Sequence, residues 1–427
     1  MITALAGIGV GPANLSLASL LAPTGLSNMF FERSPIFNWH GGMDVAQANL
    51  QVSFLKDLVT LSDPTNYYSF LSYLHESGRI YHFLNARFEA VTRKEFSLYF
   101  AWACAQNKNI YMGEEVQGIS FDGVFRITTS SRTIMAHNIA LGLGRSPSVP
   151  DIANGKIGPS LFHSGEFMTR ASSLVGKRVT VVGGGQSGAE VFQELLSRPD
   201  GQAPDHVNWI TRRRCFWPID DSAFTNDLYM PCFQAYFGTL GKDERQQFLE
   251  ENILTSDGIS GETLKRIYQL LYTKRFVDGR QDFAALLPNR EVVGIADDAG
   301  RWSLQVRHKD HDEGEFLRSD VVIWATGYKN QAYEILDNLA GRLRWTGGEV
   351  QVDANYAAAW DGPTDRSIFI QNGARLQKGL ADPNLSLLAW RSERIVERLT
   401  GTRSKRTQRA SMMAWAPMPV VEQRRTA

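Results

Sequence analysis

The sequence predicts an α/β fold with two Rossmann-like domains and a small helical insertion, and three observations carry that prediction. Two glycine-rich turns, at Gly7 and Gly183, each follow an apolar run and precede apolar residues at helical spacing. Two later apolar runs, Ile139 to Leu143 and Val321 to Ala325, each enter a small-residue turn, Gly142-Leu143-Gly144 and Ala325-Thr326-Gly327-Tyr328. Between about residues 220 and 280 the pattern turns helical, charged and aromatic, notably in Lys242 to Leu254 and Ser260 to Tyr272.

In the first unit Ile2 to Ile8 reads as a buried strand, Leu15 to Leu21 as a helix, and Asn28 to Phe31 as a strand ending at Glu32. The turn is Gly7-x-Gly9-x-Gly11-Pro12. Gly7 permits the tight turn and Gly9 lets the backbone approach a pyrophosphate held at the helix N-terminus. Glu32 stands where a carboxylate accepts hydrogen bonds from a ribose. Pro12 takes the place of the third glycine, a departure from the usual fingerprint. The first 23 residues are apolar enough for a signal peptide, but they lack a charged start and carry glycines at functional spacing, so a folded strand, turn and helix is expected.

The second unit runs from Lys177 to Val182 into Gly183-x-Gly185-x-x-Gly188, the complete fingerprint, with Gln186 and Ser187 opening a helix that continues through Leu196. Its next strand, Val207 to Ile210, ends in Thr211-Arg212-Arg213-Arg214 rather than in an acid. Arginine there binds a 2′-phosphate that a carboxylate would repel. Two dinucleotide-binding domains follow, FAD at the first site and NADPH at the second. The expected division is 1–150 plus about 330–427 for the FAD domain, about 151–215 plus 285–330 for the NADPH domain, and about 216–284 for a helical substrate-binding region. The two small-residue turns are too short an echo to be a repeat, but two nucleotide-binding folds returning through such turns would produce them.

Composition narrows the function. The chain has 427 residues, 43% hydrophobic, enough for two or three domains with sizeable cores. Lys plus Arg and Asp plus Glu are 45 each, so no basic field gathers nucleic acid or anionic lipid. Cys104, Cys215 and Cys232 form no CxxC-type pair, which points to a reducing cytoplasm and rules against a redox-disulfide acceptor. The eight histidines show no metal-ligand spacing, so no metal is expected. No apolar run is long enough for a membrane span. The tail from Gly401, with Arg403, Lys405, Arg406 and Arg409, reads as a loosely packed end. Hydride passed from NADPH to flavin then needs an acceptor, and O2 is the natural one.

At this point the residues resemble the N-hydroxylating monooxygenases of hydroxamate siderophore assembly, within them the shorter lysine and diamine branch. The resemblance rests on Gly7 to Asn14, Phe37-Asn38-Trp39-His40, Leu50 to Leu58, Gly183 to Gly188, Thr255-Ser256-Asp257-Gly258, Ala325 to Tyr328 and Asp382 to Leu387. It implies a hydroperoxide on flavin carbon C4a, attacked by the neutral terminal amine of lysine, cadaverine or putrescine, with NADP+ retained beside the flavin to exclude water. By resemblance Gln51 contacts that part of the flavin, and Lys56 with Asn226 holds the carboxylate of an amino-acid substrate. Lys56 could alternatively pair with an acidic neighbour. Ser256 stands where the ornithine-using branch carries a substrate-contacting asparagine, a departure that counts against ornithine. Ser386, just inside a helix expected near Pro383, resembles the serine near the reacting amine, though a local cap is the alternative. His163 and Ser164 resemble residues along the NADPH path, Trp39 and His40 a segment packed near the flavin, and Thr326 with Gly327 part of the cofactor-binding turn. The branch also implies a homo-oligomer. The competing readings are another flavin-dependent NADPH oxidase or monooxygenase, and a flavoprotein that binds nucleotides without turnover.

Overall fold

The computed structural model describes residues 2–331, 333–402 and 411–417. The basic run at Arg403, Lys405, Arg406 and Arg409 lies outside the described residues.

The first domain is built on one sheet. Its strands β1 (Ile2–Ile8), β2 (Asn28–Glu32), β3 (Ile110–Met112), β4 (Val116–Asp122), β5 (Val124–Thr129) and β6 (Thr133–Leu141) lie in the order β3-β2-β1-β6-β5-β4. The β3-β2-β1-β6 half is parallel, β5 and β4 are antiparallel, and Ile368–Ile370 adds to β6 in parallel. Helix α1 (Pro12–Leu21) crosses this sheet with every residue from Ala13 to Leu21 buried. Pro12 suits its first turn, where φ is already helical and no N–H is required. The closing helix Leu388–Thr400 packs on α1, with Leu388 and Ile395 in the same core as Leu15 and Leu17.

The second sheet is fully parallel, in the order Ala284–Leu287, His206–Ile210, Arg178–Val182, Val321–Trp324, Leu161–His163. Its middle strands are mostly apolar because both faces are covered, one by Gln186–Ser197 and the other by a three-stranded antiparallel sheet, and the buried polar exceptions Thr180 and Asn208 bond to each other. That sheet, Arg290–Asp298, Arg301–His308 and Glu313–Ser319, intervenes before Val321.

The echo between the two small-residue turns has a structural meaning. Gly9 has φ 80° and a Cβ there would stand 2.6 Å from the Gly142 carbonyl oxygen; Gly183 has φ 143° and its Cβ would stand 2.0 Å from that of Ala325. Gly142 N donates to Ile8 O at 2.9 Å, and Ala325 N to Val182 O at 2.8 Å. Each fingerprint turn is thus crossed by the return turn of its own domain. Gly9, rather than Gly7, carries the positive φ; Gly7 is small because the Phe30 ring would lie 2.0 Å from its Cβ.

The helical segment contacts both neighbours. Helix Gly261–Tyr272 packs on Gln186–Ser197 of the second domain. Pro231–Phe237 and Lys242–Glu251 instead bury Phe233, Phe237 and Leu249 with Leu380 and Leu387 from the returning chain. The expected helix from Lys242 to Leu254 stops at Glu251: the Asn252 side-chain N–H takes Phe248 O at 2.9 Å, Ile253 N turns to Glu250 O, and a separate short helix follows at Leu254–Asp257. Among the described residues no helix is long and apolar enough to cross a membrane.

Candidate active site

Where the two domains and the helical segment meet, a cavity of about 1850 Å3 opens, lined among others by Gln51, Lys56, Gln186, Asn226, Tyr229 and Ser386. Residues far apart in the chain converge here. Lys56 sits on a turn closed by its own N–H on Ser53 O. Asp57 does not neutralise it. The Asp57 carboxylate accepts N–H bonds from Val59, Thr60 and Phe70 and folds its own loop. Lys56 Nζ instead donates to Ser386 Oγ at 2.9 Å and lies 5.9 Å from the Tyr229 ring centre. No described acidic residue forms an ion pair with Lys56. Burial holds its ammonium pKa below the usual lysine value.

Ser386 is buried in a 3-10 turn, Leu385–Leu387, that precedes the closing helix. The cap of that turn is Asn384, whose side-chain oxygen accepts from Ser386 N and Ser386 Oγ, both at 2.8 Å. The Ser386 hydroxyl is therefore spent on Asn384 as donor and offered to the cavity as acceptor. Asn226 ends the short helix Ala223–Asn226, capped by Ser222, and gives its amide N–H to Asp221 O at 2.9 Å. Tyr229 was not singled out by sequence reasoning; its hydroxyl donates to Thr255 O at 2.7 Å and its ring forms the wall beside Lys56. Ser256 is not brought into this lining. Its hydroxyl lies against Asp257 and accepts from Arg375 Nη2 at 3.4 Å.

Gln51 reaches the cavity from the first domain and donates to Gln186 Oε1 at 3.3 Å. The same oxygen accepts Ser260 N at 2.8 Å. Gln186 Nε2 donates to Glu190, which pairs with Arg93 at 2.8 Å.

The two nucleotide turns fit their expected ligands. Gly11 caps helix α1 and Gly185 caps helix Gln186–Ser197, neither with a side-chain bond, so the free N–H groups of each first turn are open to an anion. A Cβ at Gly11 would meet no atom within 4 Å, which is the free approach a pyrophosphate needs. Glu32 is held at the end of β2 by N–H bonds from Val10 at 2.9 Å and Ser34 at 3.0 Å, and its remaining lone pairs can take a ribose hydroxyl. Ser187 follows Gln186 in the first turn, and Gly188 is small because its Cβ would stand 2.2 Å from Gly183 O.

The arginines after Ile210 divide by task. Arg213 Nη1 donates to Gly184 O at 3.1 Å and Asp257 O at 2.9 Å, tying the fingerprint turn to the helical segment. Arg214 pairs with Asp310 at 2.8 Å. Arg212 is exposed, with no ion pair among the described residues.

Between the domains, Trp39, His40, Tyr328 and His163 form a run of rings with centres 5.2, 5.9 and 5.0 Å apart. His163 is buried; Gly165 N donates to its Nδ1, so its Nε2 carries the proton given to Gly327 O at 3.0 Å. Ser164 Oγ is buried without a partner among the described residues, and Thr326 Oγ1 donates to Ser148 O. The turn Gly41–Met43 touches Ser164–Glu166 so closely that a Cβ at Gly42 would stand 1.6 Å from Gly165 O. Among the described residues no group of three His, Cys, Asp or Glu side chains could hold a metal.

Known proteins resemble this chain over most of its length. The family model described as L-lysine 6-monooxygenase/L-ornithine 5-monooxygenase matches residues 1–330. The L-lysine N6-monooxygenase of Escherichia coli is 39% identical over 400 residues, 92% of this chain and 94% of that protein. The FAD-bound cadaverine monooxygenase of desferrioxamine biosynthesis from Erwinia amylovora superposes with a TM-score of 0.90 at 28% identity, covering 98% of this chain and 100% of that one. The ornithine N-hydroxylase of Kutzneria sp. 744, solved with reduced FAD, NADP+ and L-ornithine, superposes with a TM-score of 0.86 at 30% identity, covering 94% and 99%. With a family model matching most of its length, the chain belongs to the L-lysine 6-monooxygenase/L-ornithine 5-monooxygenase family.

Proposed function

We propose that this chain is an FAD- and NADPH-dependent monooxygenase that hydroxylates the terminal primary amine of L-lysine, with cadaverine and putrescine as the next candidates, for hydroxamate siderophore biosynthesis. FAD occupies the turn of Gly7, Gly9 and Gly11 with Glu32 on its ribose, and NADPH the turn of Gly183, Gly185 and Gly188 with Arg212 on its 2′-phosphate. When bound, the flavin takes hydride from NADPH and activates O2.

The observation that carries the substrate reading is Lys56, a partly buried cation with no carboxylate partner among the described residues, in a cavity that Asn226 also lines. Leaving such a charge uncompensated is costly, and a substrate α-carboxylate would complete it. With the carboxylate held there, the side chain of lysine extends away and only its far end is free to react. A diamine would bring a second ammonium toward Lys56, which is why lysine comes first.

The test is hydroxylamine formation alongside oxygen consumption with lysine, ornithine, cadaverine and putrescine in turn. One amine whose product matches oxygen use identifies the substrate; hydrogen peroxide alone with all four removes this reading. The proposal extends to a homo-oligomer acting in the cytoplasm, a compartment suited to three free cysteines. Light scattering of the purified chain tests the oligomer.

A further inference from the structure

The ion pair of Arg93 and Glu190 joins the two nucleotide-binding domains, with side chains 15% and 3% exposed. Such a pair adds little stability over well-packed apolar residues, so its contacts matter more than its charge. Three contacts converge on it. Glu190 Oε1 accepts Gln186 Nε2 at 3.0 Å, one helical turn back toward the fingerprint. Arg93 Nη1 donates to Met43 O at 2.7 Å, on the turn that follows Trp39 and His40. Arg93 N donates to Ala48 O and Leu50 N to Val91 O, both at 2.8 Å, which anchors the chain leading into Gln51.

The chemistry of the donors and acceptors removes any freedom from Gln186. Its Nε2 faces a carboxylate, which only accepts, and its Oε1 faces Ser260 N–H, which only donates. The amide has one orientation. Gln51 must then present its NH2 to Gln186 Oε1, and Gln51 Oε1 is left without a protein partner among the described residues, as an acceptor at the cavity wall.

We propose that Arg93 and Glu190 are positioning residues for the N-hydroxylation: acting through Gln186, the pair fixes Gln51 as an acceptor and locks the second domain onto the turn Gly41–Met43. This rests on the proposed reaction. Coupled turnover converts NADPH, H+, O2 and the amine R–NH2 to NADP+, H2O and R–NHOH. Without a fixed site the same two electrons and two protons leave on oxygen, giving NADP+ and H2O2 with the amine untouched. Glu190→Gln removes the charge that holds Arg93 and Gln186 Nε2 and leaves Ser260 N–H alone to orient the Gln186 amide, at nearly constant volume.

The experiment uses the full FAD-loaded chain and its Glu190→Gln, Arg93→Lys and double variants. It reads hydroxylamine and H2O2 per NADPH with the amine the parent turns over, NADP+ affinity by calorimetry, and melting temperature. Each single variant is expected to lower the hydroxylamine-to-NADPH ratio about tenfold, as small misplacements of reacting groups do. H2O2 should make up the difference while NADPH consumption stays within about twofold. NADP+ affinity should fall in both singles, and the double variant should do no worse than the weaker single, because both act through one pair. Folded variants with the parental ratio and parental NADP+ affinity would overturn the proposal, as would additive losses. If Glu190→Gln does not fold, Arg93→Lys, which leaves a cation beside Glu190, carries the same expectations. Should the parent make no hydroxylamine from any of the four amines, the substrate reading fails, while NADP+ affinity and the double variant still decide the role of the pair.

Discussion

Lys56 Nζ donates to Ser386 Oγ at 2.9 Å, joining a loop of the first domain to the turn that opens the closing helix. Ser386 has already given its proton to Asn384, so the bond to Lys56 has one polarity only. The lysine keeps two further N–H groups for a ligand.

That geometry separates amino-acid from diamine substrates. A charge-assisted hydrogen bond contributes about 1.5–3 kcal/mol, or about 10- to 150-fold in binding. Lys56→Met should therefore raise KM for lysine at least about tenfold. It should leave KM for cadaverine unchanged or lower it, since a repelling cation is gone. Steady-state kinetics with both amines is the check, and equal losses would mean that Lys56 serves only to hold Ser386.

The arginines after Ile210 give a second division. Arg212 is exposed and free of ion pairs among the described residues, whereas Arg213 is committed to the carbonyls of Gly184 and Asp257. Arg212→Ala should raise KM about tenfold for NADPH and leave NADH almost unchanged, with an unaltered melting temperature. Arg213→Ala should lower the melting temperature and weaken both coenzymes alike. Kinetics with each coenzyme, read with thermal unfolding, distinguishes them.

Activity should rise from pH 7 to 9. A terminal amine has a pKa of about 10.4 in water, and only its neutral form attacks oxygen, so each pH unit below that value costs about tenfold in reactive amine. Lys56 works in the opposite sense. Burial depresses its pKa, so at the alkaline end it loses the proton that binds a carboxylate, and KM for lysine should climb there first. A kcat that is flat from pH 7 to 9 would show that amine attack is not rate-limiting.

These predictions mix what is local in the chain with what is not. The turns at Gly7 and Gly183 were legible because a strand, a glycine turn and a helix are contiguous, and their crossings by Gly142 and Ala325 left an echo in small residues. Lys56, Gln51 and Ser386 were found by resemblance, but their convergence depends on a contact 330 residues apart in sequence. Arg93 and Glu190 are 97 residues apart and carry no local pattern, so nothing in the sequence marks them. Tyr229 read as one aromatic among many. Arg213 and Ser256 occupied the expected positions in the chain, yet their side chains turn to Gly184, Asp257 and Arg375, partners brought in by the helical segment and the returning chain.

His163 supplies a test of stability rather than turnover. Its Nδ1 accepts Gly165 N–H at 3.1 Å, and protonation would set two donors face to face. Burial lowers its pKa below the ordinary value of 6.5, with smaller opposing effects from Gly327 O and Glu166. In the unfolded chain it titrates near its ordinary value. Above about pH 6.5 the residue is neutral in both states and its contribution is fully present. As pH falls below that, the unfolded state takes up a proton that the folded state refuses, and stability is lost by up to about 1.4 kcal/mol per pH unit. Glu349 opposes this: burial raises its pKa to about 7, so the folded state gains a proton over the unfolded one as pH falls toward the ordinary carboxyl range. His40, which burial and the nearby Arg93 push down to about 4, adds to the loss in the same sense as His163, so the parent's net slope mixes all three. His163→Gln should remove only the His163 contribution, so the loss of unfolding free energy between pH 7 and 5, measured by urea titration, should be smaller in the variant than in the parent. An identical pH slope in the two proteins would mean that His163 titrates alike in the folded and unfolded chain.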